Sequence, residues 1–326
     1  MINTNLSEPV KEASNSIRPG TMDGYIGQTK IKENLKIAIK AAKMRGETID
    51  HILFYGPPGL GKTTISYIVA NEMDANIKVT SGPAIEKPGE LAAILSGLCE
   101  HDILFIDEIH RLSKPVEEVL YSAMEDFNIS ITIGQGEQVR TMTLDLPHFT
   151  LIGATTRAGM LSAPLRDRFG LICRMEYYSN TDLRKIILQS AKKLNVELPN
   201  DICEAIADVS RGTPRIANNL LKRARDYIQM LPPERCNAPD FLSFMNIQAN
   251  GLSDMDMGYL SLLEGTFNNK PTGIQTIAAA LGEDIETLET VCEPYLIQKG
   301  FLIKTPRGRI LTDAYLQSAK PCKKGA

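Results

Sequence analysis

The chain has 326 residues, 43% of them hydrophobic, with 36 basic against 39 acidic residues and a net charge of −3. That content supports two or three cored domains, and the near-zero charge excludes whole-molecule attraction to nucleic acid, so a nucleic-acid partner would need a local basic patch. No apolar run reaches the roughly 20 residues that span a bilayer, the six cysteines form no CxxC pair, and residues 1–16 lack a signal peptide's apolar segment; together these predict a cytoplasmic chain with reduced thiols and a loose N-terminal tail.

From residue 17 to about 178, strand-like runs (His51–Tyr55, Ile77–Thr80, Ile103–Ile106, Thr150–Ala154) alternate with helical patterns. This predicts an α/β domain built on a parallel sheet. Between the first strand and an amphipathic run stands Gly56-Pro57-Pro58-Gly59-Leu60-Gly61-Lys62-Thr63-Thr64. Its glycines let backbone N–H groups turn inward toward phosphate oxygens, and the helix that follows adds its positive N-terminal end. Lys62 can reach β- and γ-phosphates and the Thr63 hydroxyl can ligate Mg²⁺, so ATP and Mg²⁺ are the expected ligands.

The run Ile103–Ile106 ends in Asp107-Glu108. The C-terminal end of a strand in an open α/β sheet is where ligands bind. Asp107 is placed to hold Mg²⁺ through water, and Glu108 to orient a water for attack on the γ-phosphate. His110, just beyond, reads as a surface or packing histidine. In Phe127–Pro147, Ile129, Ile131 and Ile133 alternate with Ser130 and Thr132, and Gly134-Gln135-Gly136-Glu137 can turn the chain back. This predicts a β-hairpin whose isoleucines either join the core or, if it projects, form an apolar docking strip. The strand from Thr150 leads to Thr156, an ordinary strand-end residue or one beside the attacking water. Pro164-Leu165-Arg166-Asp167-Arg168 holds either a surface ion-pair run or an arginine finger from a neighbouring subunit.

Residues 179–250 are helical throughout, with stripes Leu183, Ile186, Ile187, Ser190 and Ile216, Leu220, Leu221, Ala224. Thr213 suits a helix N-cap and Pro214 the first helical position, which would hold Arg215 rigidly. Residues 251–326 read as a winged helix: a helix capped by Thr272 and running to Leu281, a second helix facing inward with Leu288, Val291, Tyr295 and Leu296, then wing strands Phe301–Lys304 and Arg309–Thr312. The second helix carries Glu283, Asp284, Glu286, Glu289 and Glu293, a poor surface for a phosphate-walled groove. The wing and tail carry Lys299, Lys304, Arg307, Arg309, Lys320, Lys323 and Lys324. Backbone contact by Lys304, Arg307 and Arg309 without base readout is the expectation, against a basic hairpin on a protein-binding module.

In this order the motifs resemble those of AAA+ ATPases. Over Leu104-Phe105-Ile106-Asp107-Glu108-Ile109-His110-Arg111-Leu112, Thr150–Gly159, Arg211-Gly212-Thr213-Pro214-Arg215-Ile216-Ala217, Glu293–Ile297 and Thr305–Arg309, the chain is similar to the RuvB family of bacterial Holliday-junction branch-migration motors. The resemblance implies an AAA+ core (1–178, with the N-terminal tail), a small helical lid (179–250) and a winged-helix DNA-binding domain (251–326). It further implies that Ile17, Arg18 and Tyr178 border the adenine, that Gly59, Gly61, Lys62, Thr63 and Thr64 hold phosphates and Mg²⁺, and that Thr156 is the first sensor. Arg168 is implied as a finger acting in trans, Arg215 as the second sensor, and Glu125, Asp126 and Phe127 as a nucleotide-linked segment at the subunit boundary. A homo-hexameric ring on the duplex arms of Holliday junctions is implied, with RuvA docking on Ile129, Ile131 and Ile133, and RuvC as a further partner. Ser122 departs from the family's usual proline, and Lys304 and Ile285 from its frequent arginines. A clamp-loader-type ATPase and a nucleotide-switched DNA-binding regulator are the alternatives; Glu108 disfavours the second, because a switch needs no positioned water.

Overall fold

The computed structural model describes residues 17–133, 140–232, 235–248 and 251–319, without the side chains of 131–133, 140–141 and 318–319. The expected tail 1–16, the hairpin turn Gly134–Glu137, the side chains of Ile131 and Ile133, and Lys320, Lys323 and Lys324 lie outside this description. Two compact units are present. One holds the described residues up to Val196 together with Thr213–Arg215; the other holds Glu197–Gly212 and the described residues from Ile216 onward.

The first unit is built on five parallel strands, β1 (Ile52–Tyr55), β2 (Ile77–Ser81), β3 (Ile103–Asp107), β6 (Thr150–Thr155) and β7 (Leu171–Arg174), in the order β2-β3-β6-β1-β7. The central strands β1, β3 and β6 are almost wholly buried, as continuous apolar runs of a helix-covered parallel sheet must be. β7 escapes sequence reading: it is a four-residue edge strand whose Ile172 is 49% exposed. The helices are α1 (Thr29–Arg45), α2 (Lys62–Met73), α3 (Pro88–Ser96), α4 (Lys114–Glu125), the short α5 (Ala163–Arg166) and α6 (Asn180–Lys193). Strands β4 (Asn128–Ile133) and β5 (Arg140–Asp145) form a separate antiparallel hairpin, with Ile129 opposite Leu144 and Ile131 opposite Met142. Ile129 is buried in the main core, with Leu144 packed against it, whereas Met142 is 59% exposed. Of the two expected places for the isoleucines, Ile129 takes the core, so the hairpin is rooted there at its base.

His51 joins three elements. Its Nδ1 accepts from the Leu151 N–H at 2.9 Å, and its Nε2 donates to the Met124 carbonyl at 3.1 Å. Burial pushes its pKa down, which keeps the ring neutral in this pairing.

The second unit contains α7 (Asn200–Val209), α8 (Pro214–Met230, from Ile216 onward), α9 (Ala238–Phe244), α10 (Asp254–Ser261), α11 (Ile274–Leu281), α12 (Ile285–Thr287), α13 (Glu293–Gln298), the wing strands β8 (Leu302–Thr305) and β9 (Gly308–Leu311), and α14 (Asp313–Ala319). Arg211 binds it together. Its guanidinium pairs with the buried Asp256, donates to the Gly251 carbonyl at 3.1 Å and lies 4.4 Å from the Tyr295 ring centroid.

Two sequence expectations change here. Between α12 and α13 the chain makes a π turn over Leu288–Cys292, directly before Pro294. Proline has no N–H for an i→i−4 bond, and a wider turn accommodates it. The extra residue shifts the inward face by one position, so Cys292 is buried where Val291 was expected, and Val291 is 53% exposed. Thr272 does not cap α11, since Gly273 stands at that position. Thr272 instead exchanges backbone hydrogen bonds with Arg309, at 3.1 and 2.8 Å, adding a bridge to the wing. Gly308 has φ 138°, and a Cβ there would fall 2.4 Å from the Thr272 carbonyl oxygen, so this position requires glycine.

Candidate functional site

The phosphate loop runs from the end of β1 to the start of α2. Lys62 is buried, and its ammonium donates to the carbonyls of Gly56 (2.8 Å) and Pro57 (2.9 Å), inside the curl of the loop. Burial lowers its pKa, opposed by the charges of Glu108 and Asp107 and reinforced by Arg215. The lysine therefore lies within reach of the charges of both carboxylates and of Arg215. Gly59 has φ 78°, and a Cβ there would meet Thr213 Cγ2 at 2.7 Å and Arg215 Cβ at 3.1 Å. The Arg215 N–H donates to the Gly59 carbonyl at 3.3 Å. Gly59 thus serves both its own turn and the close approach of the segment that carries Arg215.

Asp107 ends β3, and its Oδ1 accepts from the Glu108 N–H at 3.0 Å. Glu108 has a left-handed backbone, φ 47°, rare for a residue with a side chain. Its Oε2 lies 3.3 Å from the Thr156 N–H and 3.2 Å from Thr156 Oγ1. Glu108 and Thr156, read separately from sequence, are therefore in contact. His110 packs here, as one of its two expected readings has it, but its contact with Glu108 was not read from the sequence. Its Nδ1 is 3.2 Å from Glu108 Oε2 and 2.9 Å from Thr155 Oγ1. No pattern in the sequence marks this, because the side chain returns to Glu108 only through the short turn Ile109–Arg111.

Tyr178 is buried under the loop. Its hydroxyl is 3.2 Å from the Leu60 carbonyl and 2.9 Å from the hydroxyl of Tyr25, and burial pushes its pKa up to about 12. The carbonyls of Ile17 and Arg18 accept from Lys193 of α6 at 3.3 and 2.7 Å. Arg168 forms a second cluster with Glu125: its Nη2 donates to Glu125 Oε2 at 2.8 Å, its Nη1 to the Pro164 carbonyl at 2.7 Å, and its guanidinium lies over the Tyr121 ring. Asp126 caps α4, and Phe127, at φ 49°, packs edge-on against Phe149.

The donor set fits the expected ligands. Three glycines with positive φ, an inward lysine and a helix N-terminus make an anion cradle. Thr63 and Asp107 offer a few hard oxygen ligands, as suits a cation that keeps several waters.

The wing meets the acidic helix through ion pairs. Glu293 is fully buried and turned toward the wing: its Oε1 accepts from Tyr259 OH (2.8 Å) and Arg309 Nε (2.9 Å), and its Oε2 lies 2.5 Å from Lys304 Nζ. Arg309 also pairs with Glu289 at 3.1 Å, and its side chain is only 15% exposed. Arg309 is thus held in an ion-pair cluster with Glu289 and Glu293, while Lys304 keeps 43% exposure and Arg307 lies exposed in the turn between β8 and β9.

A parallel sheet ordered β2-β3-β6-β1-β7, a phosphate loop after β1, an acidic pair ending β3 and a polar residue after β6 define a P-loop ATPase of the AAA+ class. Residues 17–175 match the Holliday junction DNA helicase RuvB P-loop domain, 178–238 the RuvB AAA lid domain and 249–318 the RuvB C-terminal winged helix domain. The chain is 54% identical over 313 residues to the Holliday junction branch migration complex subunit RuvB of Lactobacillus gasseri, covering 95% of this chain and 92% of that protein. The Thermotoga maritima RuvB Holliday junction branch migration motor superposes with TM-score 0.83 at 46% identity, over 93% of this chain and 97% of that one. A proline-to-glycine mutant of the same Thermotoga maritima protein gives TM-score 0.83 at 46% identity, over 93% of this chain and all of that one. The chain belongs to the RuvB family. Among the described residues, no helix is long and apolar enough to cross a membrane.

Proposed function

We propose that this chain is the ATP-driven motor of Holliday-junction branch migration, acting in the cytoplasm in recombination and repair. The observation that carries the reading is the convergence of Lys62, Asp107, Glu108 and Arg215 around one phosphate loop, in a chain that also holds a winged helix. Lys62 and the loop N–H groups bind the triphosphate of ATP. Thr63 and Asp107 hold Mg²⁺, which when bound offsets charge on the β- and γ-phosphates. Glu108 orients and polarises the attacking water, with Thr156 beside it as the first sensor. Arg215 follows loss of the γ-phosphate as the second sensor, and Ile17, Arg18 and Tyr178 border the adenine. Arg168, with the Glu125-Asp126-Phe127 segment, completes the site of a neighbouring subunit in a hexameric ring.

The division into a core (1–178), lid (179–250) and winged helix (251–326) assigns hydrolysis to the first and duplex contact to the last. Arg307 and the exposed part of Lys304 touch the DNA backbone without base readout, which suits a motor that travels over any sequence. RuvA docks on the hairpin β4–β5, and RuvC is the further partner at the junction. The test is ATP-dependent migration of a synthetic four-way junction with and without RuvA. Migration that requires hydrolysable ATP is expected; turnover with no strand movement in either arm would overturn the reading. Glu108→Gln is expected to keep ATP binding and to reduce turnover by about 100-fold or more, consistent with loss of a positioned general base.

A further inference from the structure

We propose that His110 is a positioning residue for Glu108, fixing the carboxylate that orients the attacking water. The proposal rests on the ATPase reading of this site.

The hydrogen on His110 Nδ1 decides what that nitrogen can hold. That nitrogen faces two oxygens, Glu108 Oε2 at 3.2 Å and Thr155 Oγ1 at 2.9 Å. An ionised carboxylate only accepts. With hydrogen on Nδ1, that edge hydrogen-bonds Thr155 Oγ1 and faces the carboxylate electrostatically, whereas a bare lone pair there would be repelled by it. Thr155 Oγ1 already accepts from the Arg157 N–H at 3.0 Å and is fixed at the end of β6. His110 therefore links the carboxylate to a rigid strand end.

Burial strengthens this link. The His110 side chain is 7% exposed, while that of Glu108 is 34% exposed. A donor shielded from water holds its acceptor more firmly than one that exchanges with solvent. Glu108 needs such support, because its own backbone sits at φ 47°, a conformation that neighbouring structure must impose. Thr156 supplies two of the groups around the carboxylate, and His110 supplies the third, from the side of β3 and its turn. The Thr156 donors approach the carboxylate from the end of β6, and the His110 edge faces it from a second direction. These contacts run to Glu108 and to the end of β6, so His110 acts on the site through Glu108.

The experiment is steady-state ATP turnover and equilibrium ATP binding by the full-length protein, comparing His110→Leu with His110→Asn. Asparagine can place an amide N–H near the position of Nδ1, whereas leucine fills the space without a donor. His110→Leu is expected to lower kcat by about tenfold or more with KM changed less than about threefold, the pattern of an interaction that matters in the transition state. His110→Asn is expected to restore kcat to within about threefold of wild type, the cost of an imperfectly placed donor. A purely structural histidine would give a lowered unfolding temperature in both variants with no such rescue. The proposal is overturned if His110→Leu keeps wild-type kcat, if the loss lies in KM alone, or if His110→Asn is as slow as His110→Leu. Wild-type turnover separates the two readings: an active wild type with an equally active His110→Leu variant overturns this proposal, and an inactive wild type overturns the functional reading.

Discussion

Glu293 is a carboxylate without exposed surface that three side chains address at once. Burial alone would raise its pKa, but the hydrogen bonds from Arg309, Lys304 and Tyr259 together outweigh burial and hold it below the usual glutamate value. A lowered folded pKa stabilises the fold above the unfolded glutamate pKa, and that contribution is lost as pH falls through the folded value. The winged helix should therefore keep its full stability at neutral pH and lose this part only on the acid side of ordinary glutamate titration. Arg309→Ala removes one partner of a buried pair; we expect roughly 3 kcal/mol of lost stability in urea unfolding, and acid unfolding that begins at higher pH. Arg307→Ala should leave unfolding unchanged, weaken duplex binding similarly across sequences and reduce the salt slope by about one, as for a single phosphate contact. Equal DNA-binding defects with equal stability in the two variants would refute this division of roles. Charge sign was readable in the sequence; which arginine points inward was not, because Glu293 and Arg309 meet only once α13 and β9 are folded together.

The hairpin β4–β5 illustrates the same limit for an element. Its existence follows from alternation, and its separation from the main sheet is consistent with a projecting piece. The sequence could not show that its apolar face changes character along its length, from Ile129 in the core to Met142 in solvent. We expect Met142→Glu to weaken RuvA binding by about tenfold or more, as loss of an apolar interface anchor does, with ATP turnover preserved. Ile129→Ser should instead destabilise the first unit by about 2–4 kcal/mol, as for a truncated core side chain left with a hydroxyl. Tight RuvA binding by Met142→Glu would remove the docking role from this face. The central strands β1, β3 and β6 were legible because buried parallel strands are uninterrupted apolar runs; β7 was not, since an edge strand needs no such run. The π turn in the second winged-helix element was hidden for a different reason. Helical periodicity assumes one spacing throughout, and Pro294 changes it.

For the whole molecule, the phosphate loop and acidic pair could be read from local sequence because each acts through residues close together in the chain. The contacts of Glu108 with Thr156 and of Gly59 with Arg215 join segments far apart, and only the fold brings them together. The proposed role of Arg168 would extend this logic beyond one chain. If it completes a neighbour's site, Arg168→Ala subunits mixed into wild type should depress turnover more than in proportion to their share, measured as ATP hydrolysis against mixing ratio. A strictly linear decline would place its action within its own chain. An arginine side chain carries about 2 kcal/mol of rotamer entropy, which a partner must ordinarily remove when it captures the group. Here Glu125, Tyr121 and the Pro164 carbonyl have already confined Arg168 in the single subunit. A neighbouring subunit that captured it would meet a side chain whose freedom is largely gone, and less of the binding energy would be consumed in ordering it. In the proposed ring, a mutation at Glu125 would act on the concentration at which subunits assemble, even though the arginine itself is unchanged.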